Sequence, residues 1–373
     1  MEAMSAGIYI HVPFCVRKCG YCDFYSLPCA GAASGSAEEA FDAYTDALTA
    51  EIRAETPGVR ADTVYFGGGT PSLLGAERLS RILDAVRERF DVAGDAEITL
   101  EANPLDLAQP EALRNAGFNR LSLGVQSAHD EELAMLGRRH TFADARHTVE
   151  TARRAGFENL SLDLMYGLPG QTLDRWEQSV RALLALSPEH ISCYALKLSE
   201  NVPLFAREAE LPDDETQLAM YLSVTEALGA AGYRQYEISN YARAGRESRH
   251  NRKYWLGVPY YGFGPGAHSF IEGCRLACPE DLAGYLGGKV RRGLVEAHPD
   301  AREEYLILRL RMTEGIRPSD YEERFGESFA PFAAVLDRYA PLGLTARDGE
   351  RRYLTPRGMF VSNAILEELI DLL

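Results

Sequence analysis

Short runs of β-branched and aromatic residues alternate with amphipathic helical stretches through the first half of the chain, and this alternation restricts the fold more than any other feature. Strand-like segments fall at Gly7–Val12, Thr63–Phe66, Glu97–Glu101, Arg120–Val125, Asn159–Met165 and His190–Leu198. Between them, Phe41–Glu55, Ala76–Arg89 and Asp144–Ala155 carry a helical apolar period, each long enough to cross a sheet and return the chain parallel to its last strand. Six such units of about 30 residues fill roughly 190 residues, short of the ~250 of a complete eightfold barrel. The spacing predicts an α/β fold built on a partial (β/α)6 TIM-type barrel, with a doubly wound sheet as the alternative.

After Asn201 the alternation fades. Asp213–Ala231 reads as a helix with Asp213 or Asp214 as N-cap, and an aromatic, glycine-rich region runs from Tyr233 to about Gly288. Helical stretches at Ala301–Met312, Pro318–Phe325 and Ser328–Tyr339 then precede an Asp348-Gly349 pair flanked by strand-like residues, a hairpin signal. The predicted division is a barrel over 1–205, an α+β extension over 206–295, and a small winged-helix-like C-terminal domain over 296–373. There are no internal repeats, only a small Ala/Gly/Ser-rich loop at Ala30–Ala37.

The 373 residues include 39 basic and 55 acidic side chains, a net charge of −16. Such a surface repels phosphate backbones and anionic lipid heads, so nucleic acid is not an expected partner. The cluster Arg243, Arg246, Arg249, Arg252 and Lys253 is the one local exception to test. The opening MEAMSAGIYIHVPFC lacks a basic segment followed by a long apolar run, and no stretch approaches the ~18–20 apolar residues of a membrane span. A cytoplasmic location is expected.

Three of the seven cysteines crowd at Cys15, Cys19 and Cys22, just after the first strand, while Cys29, Cys193, Cys274 and Cys278 are scattered. In a reducing compartment a tight thiol cluster reads as metal-binding. Three soft anionic donors suit iron–sulfur or zinc. Structural zinc sites pair two short spacings, and no partner pair is present. A [4Fe–4S] cluster on three cysteines leaves one iron open to an outside ligand. The other suspicious residues, Gly67–Thr70, Glu101, Gln126 and Asp163, lie at the carboxyl ends of predicted strands, where parallel α/β folds build their sites. Glycines at Gly67–Gly69 let backbone approach a ligand closely. Cys274 and Cys278 read as packing or loop thiols because Pro279 and nearby glycines oppose a helix, Cys29 fits no ligand spacing, and His129, His140 and His147 read as surface residues.

The CxxxCxxC loop, with Tyr21 before its third cysteine, resembles the signature of the radical S-adenosylmethionine superfamily. The resemblance implies that the open iron chelates the cofactor's amino and carboxylate groups, and that a reduced cluster cleaves the sulfonium to a 5′-deoxyadenosyl radical. GGGTP then resembles the family's methionine-binding turn, with Gly68, Gly69 and Thr70 as contacts. Tyr9, Tyr21, Glu101, Gln126, Arg138, Asp163, Ala195 and His268 fall at positions implied to contact S-adenosylmethionine.

In order along nearly the whole chain, IHVPFCVRKCGYCDFYS, GGGTP, LEANP, RLSLGVQS, LDLMYGLPGQT and YYGFGPGAHS resemble the oxygen-independent coproporphyrinogen III dehydrogenase branch. Two departures point to its sister group, the HemW-type haem chaperones. Phe24 stands where the dehydrogenases carry a further cysteine, and Cys15 lies close to the first residue, without their extended arm. A third feature is HNRKYW at His250–Trp255, which resembles that group's haem-associated motif and makes His250 the expected iron ligand. The resemblance implies a protein that binds haem and passes it to membrane-bound respiratory enzymes, with a possible homodimer. The alternative is oxidative decarboxylation of coproporphyrinogen III.

Overall fold

Strict period-two alternation shapes the sheet. In TVYF, EITLE, RLSLGVQ and LSLD one set of alternate residues is apolar and the other mostly polar, so each strand has one oily and one polar face. The computed structural model describes residues 5–29 and 37–373; the Ala/Gly/Ser-rich loop, apart from Ala37, lies outside them. Six parallel strands run in chain order: β1 (Ala6–Val12), β2 (Arg60–Gly68), β3 (Asp91–Ala102), β4 (Arg120–Gln126), β5 (Leu160–Tyr166) and β6 (His190–Ala195). Unbroken sequential order, without the reversal that defines a doubly wound sheet, makes this the partial barrel.

The wide apolar core lies outside the strands. Ile8, Ile10, Val64, Phe66, Leu100, Leu121, Leu123 and Leu162 are fully buried. They pack under helices α1 (Ala37–Arg53), α2 (Gly75–Arg89), α5 (Phe142–Arg154) and α6 (Leu173–Leu184), with the short α3 (Pro110–Ala116) and α4 (Asp130–Met135) between. Phe41, Tyr44, Leu48 and Ile52 form the buried stripe of α1 at helical spacing. Thr141 and Asp144 close a reciprocal capping box on α5, and Thr172 caps α6. The inward face of the strands carries Thr63, Tyr65, Glu97, Glu101, Arg120, Ser161, Asp163 and His190, so the barrel interior is polar.

Segment 206–295 extends the same sheet at both ends. Helix α7 (Asp214–Ala230), capped by Asp213, leads to β7 (Arg234–Gln235) and β8 (Asn240–Ala242), which pair antiparallel beyond β6. At the other edge β9 (Tyr260–Phe263) lies parallel to β1, followed by the antiparallel β10 (His268–Ile271), β11 (Cys274–Ala277) and β12 (Gly293–Ala297). The described strands of this sheet number twelve.

Helix α8 (Arg249–Leu256) closes the amino-terminal end of the barrel. Its first backbone N–H groups, from Arg249 and His250, both donate to the buried Glu97 carboxylate at 3.1 Å, an anion at a helix N-terminus. The basic cluster is not an open patch: Arg249 and Lys253 pair with Asp62, Arg252 pairs with Glu314, and Arg243 covers the Tyr233 ring. After the short α9 (Leu282–Leu286), helices α10 (Ala301–Arg311), α11 (Pro318–Phe325) and α12 (Ala330–Tyr339) lead to a hairpin, β13 (Thr345–Asp348) and β14 (Arg351–Leu354), then to α13 (Pro356–Phe360) and α14 (Ser362–Ile370). Arg311 joins this end to α8, stacking 4.2 Å from the Trp255 ring and pairing with the buried Glu237 at 2.7 Å. Among the described residues no helix is long and apolar enough to cross a membrane.

Candidate functional site

A cavity of about 450 Å³ opens at the carboxyl end of the six parallel strands. The cysteine loop leaves β1 and folds over it, tied down where the Gly20 N–H donates to Leu136 and the Thr70 N–H to Phe14. Cys15, Cys19 and Cys22 all face this cavity and none is in a disulfide. Burial raises the Cys15 and Cys22 thiols above their ordinary pKa. The Thr70 hydroxyl lies 3.6 Å from the Cys15 sulfur, and an Arg138 N–H lies 3.7 Å from that of Cys19.

The glycine turn must be glycine. A Cβ on Gly69 would stand 2.5 Å from the Phe14 carbonyl oxygen, and Gly68 has φ +102° with the His11 ring 2.7 Å from where its Cβ would be. Backbone therefore lines the wall directly. Opposite it, Glu101 at the end of β3 accepts the Tyr65 hydroxyl at 2.6 Å. Burial, with lesser repulsion from Asp163, pushes Glu101 up to about 7, and burial raises Asp163 to about 6. Gln126 ends β4 at φ +70°, a strained conformation for a side-chain-bearing residue. Arg138 follows α4 in a loop and donates to the Gly124 carbonyl and, at 2.6 Å, to Asn103. Asp163 Oδ1, Gln126 Oε1 and Arg138 Nε are buried, line the cavity and have no hydrogen-bond partner. Unpaired buried polar atoms are costly, and three on the wall of one cavity are partners a polar ligand would satisfy.

The cavity thus gathers Cys15, Cys19, Cys22, Tyr21, Gly68, Gly69, Thr70, Glu101, Gln126, Arg138, Asp163 and Ala195. Tyr9 and His268 are not among its walls; they face a neighbouring cavity, which shares only Asp23 and Phe24 with this one. One expectation needs correction. His140 is not a surface residue: it is buried, its Nε2 lies 3.1 Å from the Val125 carbonyl, and burial and Arg138 lower its pKa to about 4. His250, the expected iron ligand, does not line the cysteine cavity. It is 1% exposed, with Nδ1 2.8 Å from the Thr63 hydroxyl and Nε2 2.8 Å from that of Tyr254, at the opposite end of the barrel from the cysteines.

Sequence reasoning missed Asn103, which links Arg138 to Thr70 at 2.6 and 2.9 Å, although it sits two residues beyond Glu101. It also missed Tyr65, whose register one strand away from Glu101 was readable from the alternation, and Arg120. The Arg120 guanidinium is buried beneath the site without a hydrogen bond at Nε or Nη1, held by the charges of Glu97 and Asp163.

The profile of the Radical SAM superfamily matches residues 9–183, and that of the HemN C-terminal domain matches 297–361. The Bacillus subtilis heme chaperone HemW is 37% identical over 96% of this chain and 97% of its own length. The chain belongs to the HemW family. The Mycobacterium tuberculosis heme chaperone HemW is 38% identical over 99% of this chain and 96% of its own. The solved structure of coproporphyrinogen III oxidase (HemN) from Escherichia coli, a radical SAM enzyme, superposes with a TM-score of 0.81 at 25% identity, covering 98% of this chain and 90% of that one.

The cofactors of this HemW-family chain are a [4Fe–4S] cluster and S-adenosylmethionine, and the residues fit both. Among the described residues no three Cys, His, Asp or Glu side chains close on a single ion. Three free thiols lining one cavity are soft donors that suit the cluster. The unpaired acceptors and guanidinium beside the cysteines suit an ammonium and a carboxylate.

Proposed function

We propose that this protein is a haem chaperone: it binds haem alongside the [4Fe–4S] cluster and S-adenosylmethionine, and delivers the haem to membrane-bound respiratory enzymes. The observation that carries the reading is the likeness to HemW proteins along nearly the full length of both chains. Phe24 supports it. This side chain is 66% exposed at the edge of the cysteine cavity, where the resemblance implies a further cysteine in the dehydrogenases.

In this reading Cys15, Cys19 and Cys22 hold three corners of the cluster. Glu101 and Asp163 receive the ammonium of S-adenosylmethionine, the Gly68–Gly69 backbone lies along its methionyl part, and Arg138 and Gln126 orient the polar groups facing β4. Raised carboxyl pKa values fit that role, because a bound cation restores the charge that burial disfavours. When bound, the pair supplies one-electron reduction of the sulfonium. Tyr21 packs beside Leu136, Met165 and Leu196 and keeps that wall apolar, which excludes water. A cytoplasmic location and a homodimer complete the proposal.

A second reading, oxidation of coproporphyrinogen III, is favoured by the structural likeness to HemN. One anaerobic preparation separates the two. The chaperone reading expects stoichiometric haem uptake with a Soret band and no conversion of coproporphyrinogen III. Turnover to protoporphyrinogen IX without haem uptake overturns it.

A further inference from the structure

Directly after β3 the chain turns at Asn103–Asp106, with Pro104 at the second position of the turn and the Asp106 N–H donating to the Asn103 carbonyl at 2.9 Å. The turn sets the Asn103 side chain on the wall of the cysteine cavity. There it makes three hydrogen bonds. Nδ2 lies 2.9 Å from Thr70 Oγ1 and 3.1 Å from Asp106 Oδ2, and Oδ1 lies 2.6 Å from Arg138 Nη2.

These partners fix the direction of every bond. A guanidinium only donates, and the Asp106 carboxylate, ion-paired with Arg139 at 3.0 Å, only accepts. The amide oxygen therefore faces Arg138, and its two N–H groups go to Asp106 and Thr70. Because the Thr70 oxygen takes a hydrogen from Asn103, its own single hydrogen is free to donate, and it goes to the Cys15 sulfur at 3.6 Å. Arg138 is held likewise: Nη2 is shared between the Asn103 oxygen and the Gly124 carbonyl, which leaves Nη1 3.7 Å from the Cys19 sulfur. One amide thus aims donors at two of the three thiols. Thr70 is 2% exposed, so little water competes for its hydroxyl.

A hydrogen bond to a cysteine sulfur stabilises negative charge on it, and reducing a cluster adds one electron, so each such bond favours the reduced state. Resting on the reading of Cys15, Cys19 and Cys22 as cluster ligands, we propose that Asn103 is a positioning residue that raises the reduction potential of the cluster, directing the Thr70 hydroxyl at Cys15 and the Arg138 guanidinium at Cys19. It acts on the sulfurs only through those two neighbours.

The test is an EPR-monitored redox titration of anaerobically reconstituted full-length protein without S-adenosylmethionine, with iron and sulfide counted on the same samples. Asn103→Leu, similar in shape without the polar atoms, is expected to keep the wild-type iron and sulfide. Its midpoint potential should fall by about 59 mV or more, a tenfold loss in the equilibrium for taking up one electron. Thr70→Val should lower the potential by part of that amount, and Thr70→Ser, which keeps the hydroxyl, should hold the wild-type value. The double variant of Asn103→Leu with Thr70→Val should fall short of the summed single shifts, because one residue acts through the other. A full cluster at the wild-type potential in Asn103→Leu overturns the proposal and leaves the cysteine assignment standing. If Asn103→Leu assembles no cluster, Thr70→Val decides, and a wild-type potential there overturns the proposal equally. Retention of a full cluster in Cys15→Ala, measured beside them, overturns the ligand reading instead.

Discussion

Thr63 Oγ1 and His250 Nδ1, 187 positions apart in the chain, lie 2.8 Å from each other at the buried amino-terminal end of the barrel. With the Tyr254 hydroxyl on the other nitrogen, the imidazole bridges β2 and α8 and holds the helix that plugs the barrel. Burial, assisted by Lys253 and Arg120, lowers its pKa to about 3, so the ring is neutral at physiological pH. The bridge ties a segment read as a haem motif to the core.

Replacing that ring has a structural cost. His250→Ala leaves a cavity, and takes the partner from the buried Thr63 hydroxyl and the half-buried Tyr254 hydroxyl, and should destabilise the protein by about 2–4 kcal/mol. Urea denaturation measures it; an unchanged midpoint would show that the bridge contributes nothing.

Gly69→Ala tests the close approach of the glycine turn. Its Cβ would meet the Phe14 and Val12 carbonyl oxygens at 2.5 and 2.9 Å, both backbone atoms that cannot swing aside. The turn must shift, and S-adenosylmethionine affinity should fall about tenfold or more, with a loss of about 1–3 kcal/mol in stability. Equilibrium dialysis of reconstituted protein checks the first and thermal melting the second.

Glu101 makes stability depend on pH. Its pKa rises from 4.5 unfolded to about 7 folded, so the folded state binds more protons between those values and stability falls as pH rises through that window. Buried imidazoles with lowered pKa values, His250 and His140 among them, oppose this slope. The effect is therefore read as a difference. In cofactor-free protein Glu101→Gln should gain stability relative to wild type between pH 5 and pH 7, about the range set by those two values. Parallel melting curves for the two proteins across that range would contradict it.

Each cysteine of the triad should be indispensable to the cluster. Cys15→Ala, Cys19→Ala and Cys22→Ala are expected to lose the full iron and sulfide content after anaerobic reconstitution, whereas Cys29→Ala, whose thiol bonds the Cys15 carbonyl, should keep it. A complete cluster in any triad variant would remove that cysteine from the ligand set.

The sequence by itself determined the barrel and most of its working end. Period-two polarity in the strands, helical stripes between them and the Asp213 cap are local patterns set by backbone geometry, and each of the six predicted strands and the hairpin around Asp348-Gly349 is present. CxxxCxxC and GGGTP were legible because neighbouring residues in a loop stay neighbours in space. Only the tertiary structure decided which histidine is free. His250, His268 and His140 look alike in a string of letters, yet one is spent inside the barrel, one stands open to a ring-lined cavity, and one is packed against a strand. Burial and hydrogen bonding depend on partners such as Thr63, distant along the chain, and closure of a barrel by a helix from its far end leaves no local trace.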